Sequence, residues 1–202
     1  MGKDRYVGLI TAAGKSTRMG GFPKPLLHID DQRFVERLVG SYERAGLDDV
    51  VVVLGHEADE VRERADLSGA TVVVNERYEE GMLSSVRAGV RAARSLDADG
   101  LFLSPVDYPL IPADAVQTLV AAATEHREAD ILHPTTDGGR GHPPLFRAST
   151  FDALLSAPDD EGARAVVYAD ETVTEEVAVD DERIFVDIDT PAEYWDAVKR
   201  YT

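Results

Sequence analysis

The stretch VGLITAAGKSTRMGGFPKPLL, residues 7–27, opens as a β-branched strand and closes as a loop crowded with cations. Its Gly14-Lys15-Ser16 matches the end of a P-loop, G-x-x-x-x-G-K-[ST]. The first glycine of that pattern falls on Leu9, and Gly8 is one residue early, inside the strand. The dinucleotide pattern G-x-G-x-x-G does not occur here either. The residue types are nevertheless those of a phosphate site. Ala12, Ala13 and Gly14 let a backbone approach a ligand closely. Lys15, Ser16, Thr17 and Arg18 supply backbone N–H groups, hydroxyls and two cations. Gly20, Gly21 and Pro23 keep the loop from becoming a regular helix, and Lys24 follows. At the carboxyl end of a first strand, such a loop suits a triphosphate or pyrophosphate. The competing reading is an ordinary βα turn with solvated basic residues.

Outward from this stretch, buried-strand runs alternate with helical periods. Strands are expected at 5–11, 50–55, 71–75, 100–105 and 129–135, and helices at 33–46, 57–66, 82–96 and 112–126. The continuous apolar run VVVVLG (50–55) fits a strand covered on both faces. This βα repetition predicts an α/β protein with a doubly wound, largely parallel sheet. After residue 135 the order loosens. A Gly/Pro loop at 137–146 leads into a short strand. Helices near 149–156 and 161–169 follow, then TVTEEVAV (172–179) and a last helix from Pro191. No repeat or linker divides the chain, so residues 1–202 are expected to form a single domain.

Composition excludes several classes of function. The 202 residues are 44% hydrophobic, and no apolar run reaches membrane-spanning length. No secretory signal is visible and cysteine is absent, which removes disulfides, thiolate metal sites and a cysteine nucleophile, and fits a cytoplasmic protein. The net charge of -17 repels nucleic-acid backbones. An acidic surface poor in Lys points to solubility and to a halophilic source. Against that background the cluster Lys15, Arg18 and Lys24 stands out.

Three further stretches carry candidate chemistry. LFLSPVDYPLI (101–111) ends a strand in Asp107, facing the same crevice as the first loop; a lone carboxylate there could also serve the following turn. IFVDIDTPAEYWDAV (184–198) supplies Asp187 and Asp189, which point the same way in an extended segment. Thr190, Pro191 and Glu193 then read as a helix cap. NERYEEGMLSSVRAGV (75–90) places Ser84 and Ser85 at a helix start, suited either to capping or to reading a nucleobase. GGRGHPPLF (138–146) is a loop bearing Arg140 and His142. His28, His56, His126 and His133 fit no metal-ligand spacing, and no G-x-S-x-G occurs.

LITAAGKSTRMGGFPKPLL resembles the N-terminal signature of the MobA-like NTP-transferase family, matching at Gly14, Ser16, Arg18, Met19, Gly20 and Lys24, with Thr11 a mild departure. The P-V-D-x-P-L, N-x-x-Y-x-x-G-M-x-x-S-V-x-x-G, G-H-P and D-I-D-T-P stretches resemble its later motifs, so the likeness runs from Leu9 to Tyr194. It implies a Rossmann-like fold of the nucleotide-diphospho-sugar transferase type. Residues up to about 135 would bind nucleotide and the remainder would form the acceptor side. It implies Mg²⁺ on Asp107 with Asp187 or Asp189, and a nucleotide held by Ala12, Ala13, Gly14, Lys15, Ser16, Arg18, Lys24, Asn75, Ser84 and Ser85. Arg18, Lys24 and Asp107 would be catalytic, and Arg140 and His142 would meet an acceptor phosphate. Ala12-Ala13-Gly14, where guanylyltransferases more often carry A-G-G, favours CTP. The implied reaction is transfer of CMP from CTP to molybdopterin, with a molybdoenzyme or its maturation factor as a downstream partner. The alternatives are GTP or another NTP, a sugar, polyol or phospholactate phosphate as acceptor, or a non-catalytic nucleotide-binding chaperone.

Overall fold

Strand β1 (Tyr6–Ala12) is buried along its whole length, and its two faces explain the layering of the molecule. The computed structural model describes residues 4–202. In chain order, the elements after β1 are β2 (His28–Ile29), β3 (Gln32–Arg33), α1 (Phe34–Ala45), β4 (Asp49–Leu54), α2 (Ala58–Arg64) and β5 (Thr71–Val74). Next come α3 (Met82–Ser95), β6 (Gly100–Pro105), α4 (Ala113–Glu125), β7 (Ile131–Thr136), β8 (Gly139–Arg140) and β9 (Leu145–Arg147). The chain ends with α5 (Phe151–Ser156), α6 (Arg164–Val167), β10 (Thr174–Ala178) and α7 (Pro191–Tyr201).

The main sheet runs β10-β7-β9-β6-β1-β4-β5, with β8 paired to β7. Its long strands are parallel, as the alternating pattern predicts. Two departures come from the looser region. Strand β9 lies antiparallel between β6 and β7, and the Gly/Pro loop folds β8 back on β7 as a hairpin. The helix expected over 161–169 is confined to α6, because Gly162 adopts φ 66° immediately before it. A small β2–β3 hairpin is also present, turning at Asp30 in the left-handed region.

Alternate residues of β1 serve opposite cores. Tyr6 and Ile10 pack with Phe34, Leu38 and Tyr42 of α1 and Leu119 of α4. Val7 and Leu9 pack with Val86 and Val90 of α3 and Leu154 of α5. Helices therefore cover both faces, which makes the strands continuous apolar runs. Gly8 is required by this packing. A Cβ there would lie 2.4 Å from the ring of Tyr42, which is fully buried and donates its hydroxyl to the Phe102 carbonyl at 3.3 Å. Gly8→Ala is expected to destabilise the protein by about 1–3 kcal/mol through overpacking, read from the midpoint of urea unfolding.

His133 on β7 is buried, and neither ring nitrogen has a hydrogen-bond partner among the described residues. Burial, aided by Arg140 and His142, pushes its pKa down to about 4. The folded state therefore holds the ring neutral, whereas the unfolded chain takes up the proton below about 6.5. Stability is unaffected above that pH and falls as pH drops from 6.5 towards 4. In His133→Leu this component of the acid destabilisation, of order 2–3 kcal/mol, is expected to vanish. Urea titrations of both proteins at pH 7.5 and pH 4.5 measure it.

Candidate active site

The chain leaves β1 towards β4 on one side, while β6 lies on the other side of β1. Their carboxyl ends flank the switch in strand order, where open α/β sheets bind ligands. Thr11 pairs with Pro105, and the Val106 N–H donates to the Thr11 carbonyl at 3.1 Å. This ties the loop after β6 to the loop after β1. A cleft of about 330 Å³ opens there.

The first loop is shaped by two short 3₁₀ turns, Thr17–Met19 and Lys24–Leu26. Ser16 sits at φ 50°, and its carbonyl accepts from Met19 and Gly21. Its hydroxyl accepts from the Lys24 N–H at 3.0 Å. Ser16 thus closes the loop across eight residues. Leu26 is fully buried beneath α1, which draws Lys24 inward until its side chain is only 10% exposed.

A carboxylate cluster faces this lysine. Asp107, Asp187 and Asp189 can each present an oxygen within 4.8 Å of the others. Asp187 and Asp189 flank the fully buried Ile188, whose N–H donates to the Asp107 carbonyl at 2.9 Å. That hydrogen bond docks the C-terminal segment on the end of β6. The segment then enters α7 through a capping box. Thr190 accepts from Glu193 N–H at 3.3 Å, and the Glu193 carboxylate accepts from the backbone N–H groups of Asp189 and Thr190 at 2.9 and 2.8 Å. Capping and cluster geometry thus use neighbouring residues of one motif.

Lys24 Nζ lies 3.2 Å from Asp107 and also bonds Asp189, which pairs in turn with Arg18. Lys24 and Arg18 hold the Asp189 carboxyl below its ordinary range. Asp187 is affected in the opposite sense: desolvation, then the charges of Asp107 and Asp189, push it up to about 6. Like charges so close strain one another unless a cation sits among them. Asp107 Oδ1 is buried without any hydrogen-bond partner among the described residues. Three oxygen donors with one unsatisfied buried lone pair fit a hard divalent cation such as Mg²⁺ or Mn²⁺.

The cleft gathers Ala12, Ala13, Gly14, Ser16, Arg18, Lys24, Ser85, Asp107 and Asp189 of the residues singled out by sequence. Others stand behind its wall. Asn75 donates to the Ser84 and Ser85 hydroxyls at 2.8 and 3.0 Å, and Ser84 donates to the Gly81 carbonyl. Asn75 therefore orients the serines, and of the pair only Ser85 lines the cleft. Lys15 bridges to Glu79 at 2.5 Å and lies over the Tyr78 ring. Arg140 is paired with Glu176 at 2.8 Å on the β8 hairpin. His142 packs on Tyr108, ring centroids 4.2 Å apart, one residue from Asp107. Tyr78 and the exposed Met82 line the cleft without having been selected. Their signal was in the sequence, since both belong to the stretch 75–90.

A doubly wound sheet with a cation-rich loop and a carboxylate cluster at its switch point has the nucleotide-diphospho-sugar transferase type of fold. The chain belongs to the MobA-like NTP transferase family, whose domain model matches residues 8–174. It is 33% identical over 190 residues to molybdenum cofactor guanylyltransferase of Burkholderia vietnamiensis, covering 88% of each chain. It is 27% identical over 195 residues to molybdenum cofactor cytidylyltransferase of Escherichia coli, covering 96% of each. It is also 30% identical over 188 residues to nicotine blue oxidoreductase of Paenarthrobacter nicotinovorans, covering 91% of each. Among solved structures, Rv0371c of Mycobacterium tuberculosis H37Rv superposes with a TM-score of 0.84 at 26% identity, covering 98% of this chain and 100% of that one. Rv0371c has also been solved in complex with manganese, and that structure superposes at 0.76, again 26% identical, covering 96% of this chain and 98% of that one. Among the described residues, no helix is long and apolar enough to cross a membrane.

Proposed function

We propose that this protein transfers CMP from CTP to the terminal phosphate of a molybdopterin-type acceptor and releases pyrophosphate. The observation that carries the proposal is the cluster of Asp107, Asp187 and Asp189 facing Lys24 and Arg18 in one cleft. Carboxylates paired with exchangeable cations are the parts needed to neutralise a polyphosphate while an α-phosphorus is attacked. Residues up to about 135 hold the nucleotide in this reading, and the remainder forms the acceptor side.

The acceptor's phosphate oxygen forms a bond to the α-phosphorus, and the bond from that phosphorus to the bridging oxygen of pyrophosphate breaks. No protein nucleophile is required, because positioning and charge neutralisation carry the reaction. Lys24, drawn inward by Leu26, is placed against the charge that develops at the α-phosphate. Arg18 and Lys15 hold the departing pyrophosphate. To do so they exchange their present carboxylate partners, Asp189 and Glu79, for phosphate oxygens. Asp107, Asp187 and Asp189 would hold a divalent ion such as Mg²⁺, which when bound would supply Lewis-acid neutralisation of the phosphate charge; manganese in Rv0371c supports a divalent ion of this kind. Ala12, Ala13 and Gly14 allow close approach of the nucleotide, and Ser85 offers its hydroxyl to the base. His142, packed on Tyr108 beside Asp107, and Arg140 face the acceptor.

The base preference for CTP rests on Ala12-Ala13-Gly14 and on the cytidylyltransferase likeness. The similarity to guanylyltransferases makes GTP the competing substrate. Initial rates of pyrophosphate release with Mg²⁺ and molybdopterin, at low and high salt, test the choice. The expected result is release with CTP and little with GTP, ATP or UTP. Release with GTP alone overturns the base assignment. Release only when a sugar or polyol phosphate replaces molybdopterin overturns the acceptor. Nucleotide binding without release under any of these conditions favours a non-catalytic carrier.

A further inference from the structure

The molecule has a second cavity, of about 210 Å³, lined by Arg37, Arg44 and Arg183 and by the segment 109–114. Three guanidiniums at one cavity are unexpected in a chain of net charge -17. Their convergence is built by the fold. Arg37 and Arg44 lie two turns apart on α1, and Gly40 between them leaves room for the Arg44 guanidinium, 3.0 Å from where a Cβ would be. On the same helix the buried Ser41 donates to the Ile111 carbonyl at 2.7 Å, which fastens the 109–114 segment beside them. Arg183 comes from the turn that precedes Asp187.

These arginines are incompletely satisfied. Arg37 donates to the Ile29 carbonyl at 3.1 Å and lies 3.9 Å from Asp30, yet its Nε is buried without a partner among the described residues. Burial, opposed by Asp30 and reinforced by Arg44 and Arg183, lowers the Arg37 pKa, as expected where cations crowd. Arg183 is paired with Asp181 at 2.6 Å and also feels Asp114. Arg44 has no hydrogen bond or ion pair from its side chain among the described residues. The 13-residue helix α4 begins at the same cavity with Pro112 as its N-cap and no side-chain cap. Its first-turn N–H groups and its dipole favour an anion. Among the described residues, the one carboxylate lining the cavity is Asp114 of the same turn, which the three guanidiniums outnumber. Two partly unpaired guanidiniums and an uncapped helix start have the donor geometry of a tetrahedral oxyanion site.

We propose that the cavity between α1, the start of α4 and Arg183 binds a small phosphate-type oxyanion, separately from the active-site cleft. The proposal does not depend on the transfer reaction. The walls of the cavity run directly into both segments of the carboxylate cluster: 109–114 follows Asp107, and Arg183 precedes Asp187 by four residues.

The test is a titration of the ¹⁵N-labelled, metal-free full chain with inorganic phosphate, then with pyrophosphate, at constant ionic strength. Saturable shifts of the Ala113, Asp114 and Ala115 amides are expected. Arg44 is exposed, so Arg44→Gln keeps the fold, and it is expected to weaken the response at these amides about tenfold. Arg18→Gln, which disables the cleft, is expected to leave it unchanged. Tighter binding of pyrophosphate marks a released leaving group as the source of the ligand, and tighter binding of phosphate marks the free phosphate pool. The proposal is overturned if the amides do not move, if Arg44→Gln leaves their response intact, or if Arg18→Gln abolishes it.

Discussion

Asp107→Asn is expected to lower turnover by about a thousandfold while leaving the fold intact. The side chain keeps its shape, and the Asp107 carbonyl still accepts from Ile188, so the C-terminal segment stays docked. What disappears is the negative charge of the cluster's Asp107, so the Lys24 ammonium that meets it at 3.2 Å keeps at most a neutral amide acceptor. Divalent-ion affinity falls with it. Relief of like-charge repulsion also lets the Asp187 carboxyl, now pushed up to about 6, return towards its ordinary value. Turnover by steady-state kinetics, Mn²⁺ affinity by calorimetry and far-ultraviolet dichroism read the three consequences. A folded, fully active Asp107→Asn protein contradicts the metal assignment.

Lys24→Ala is the second substitution with a large expected effect. Among the described residues, Lys24 is the one cation that touches both Asp107 and Asp189, and it does so from a nearly buried position. Removing it leaves neighbouring carboxylates without compensation, which costs stability when no metal is present. The expected result is a lower melting temperature in chelator, recovered in large part by Mn²⁺, because a divalent ion supplies the missing positive charge. Turnover is expected to fall by about 10²–10³ even with saturating metal, since charge at the α-phosphate loses its fixed partner. Wild-type turnover in Lys24→Ala, or a stability loss that Mn²⁺ does not repair, contradicts the place given to this residue.

These expectations rest on residues that the sequence made visible to different degrees. The long strands and helices up to residue 136 follow the alternation of apolar runs and helical periods, because the central strands β1, β4 and β6 are buried on both faces. The Gly/Pro loop at 137–146 announced a short strand where β9 lies, but neither its direction nor its place in the sheet. Three residues after two prolines carry no period, and only the pairing with β6 and β7 shows that Leu145 and Phe146 belong to the core. The two-residue strands of the β2–β3 hairpin were silent.

The site divides in the same way. Ala12, Lys24 and Asp107 stand at strand ends or on a loop whose composition is unusual, so residue type alone marks them. The separate jobs of Ser84, Ser85 and Asn75 were not legible, because they depend on which hydroxyl turns to Gly81 and which to the cleft. The same holds for Ser16, whose hydroxyl closes the loop onto Lys24. Sequence marks the serine, and only the turn geometry shows what it bonds. The arginine-lined cavity illustrates the limit most clearly. Arg37, Arg44 and Arg183 look like ordinary surface charges until α1 and the turn before Asp187 are brought together.

The central claim is that the carboxylate cluster and the first loop together move a nucleotidyl group onto a phosphate-bearing pterin. The most direct measurement is mass spectrometry of molybdopterin after incubation with the protein, CTP and Mg²⁺, with pyrophosphate counted in the same sample. The account predicts a pterin product heavier by one CMP, equal in amount to the pyrophosphate released, and absent with Asp107→Asn. Pyrophosphate released without a nucleotidyl-pterin, or a product formed equally well by Asp107→Asn, contradicts it.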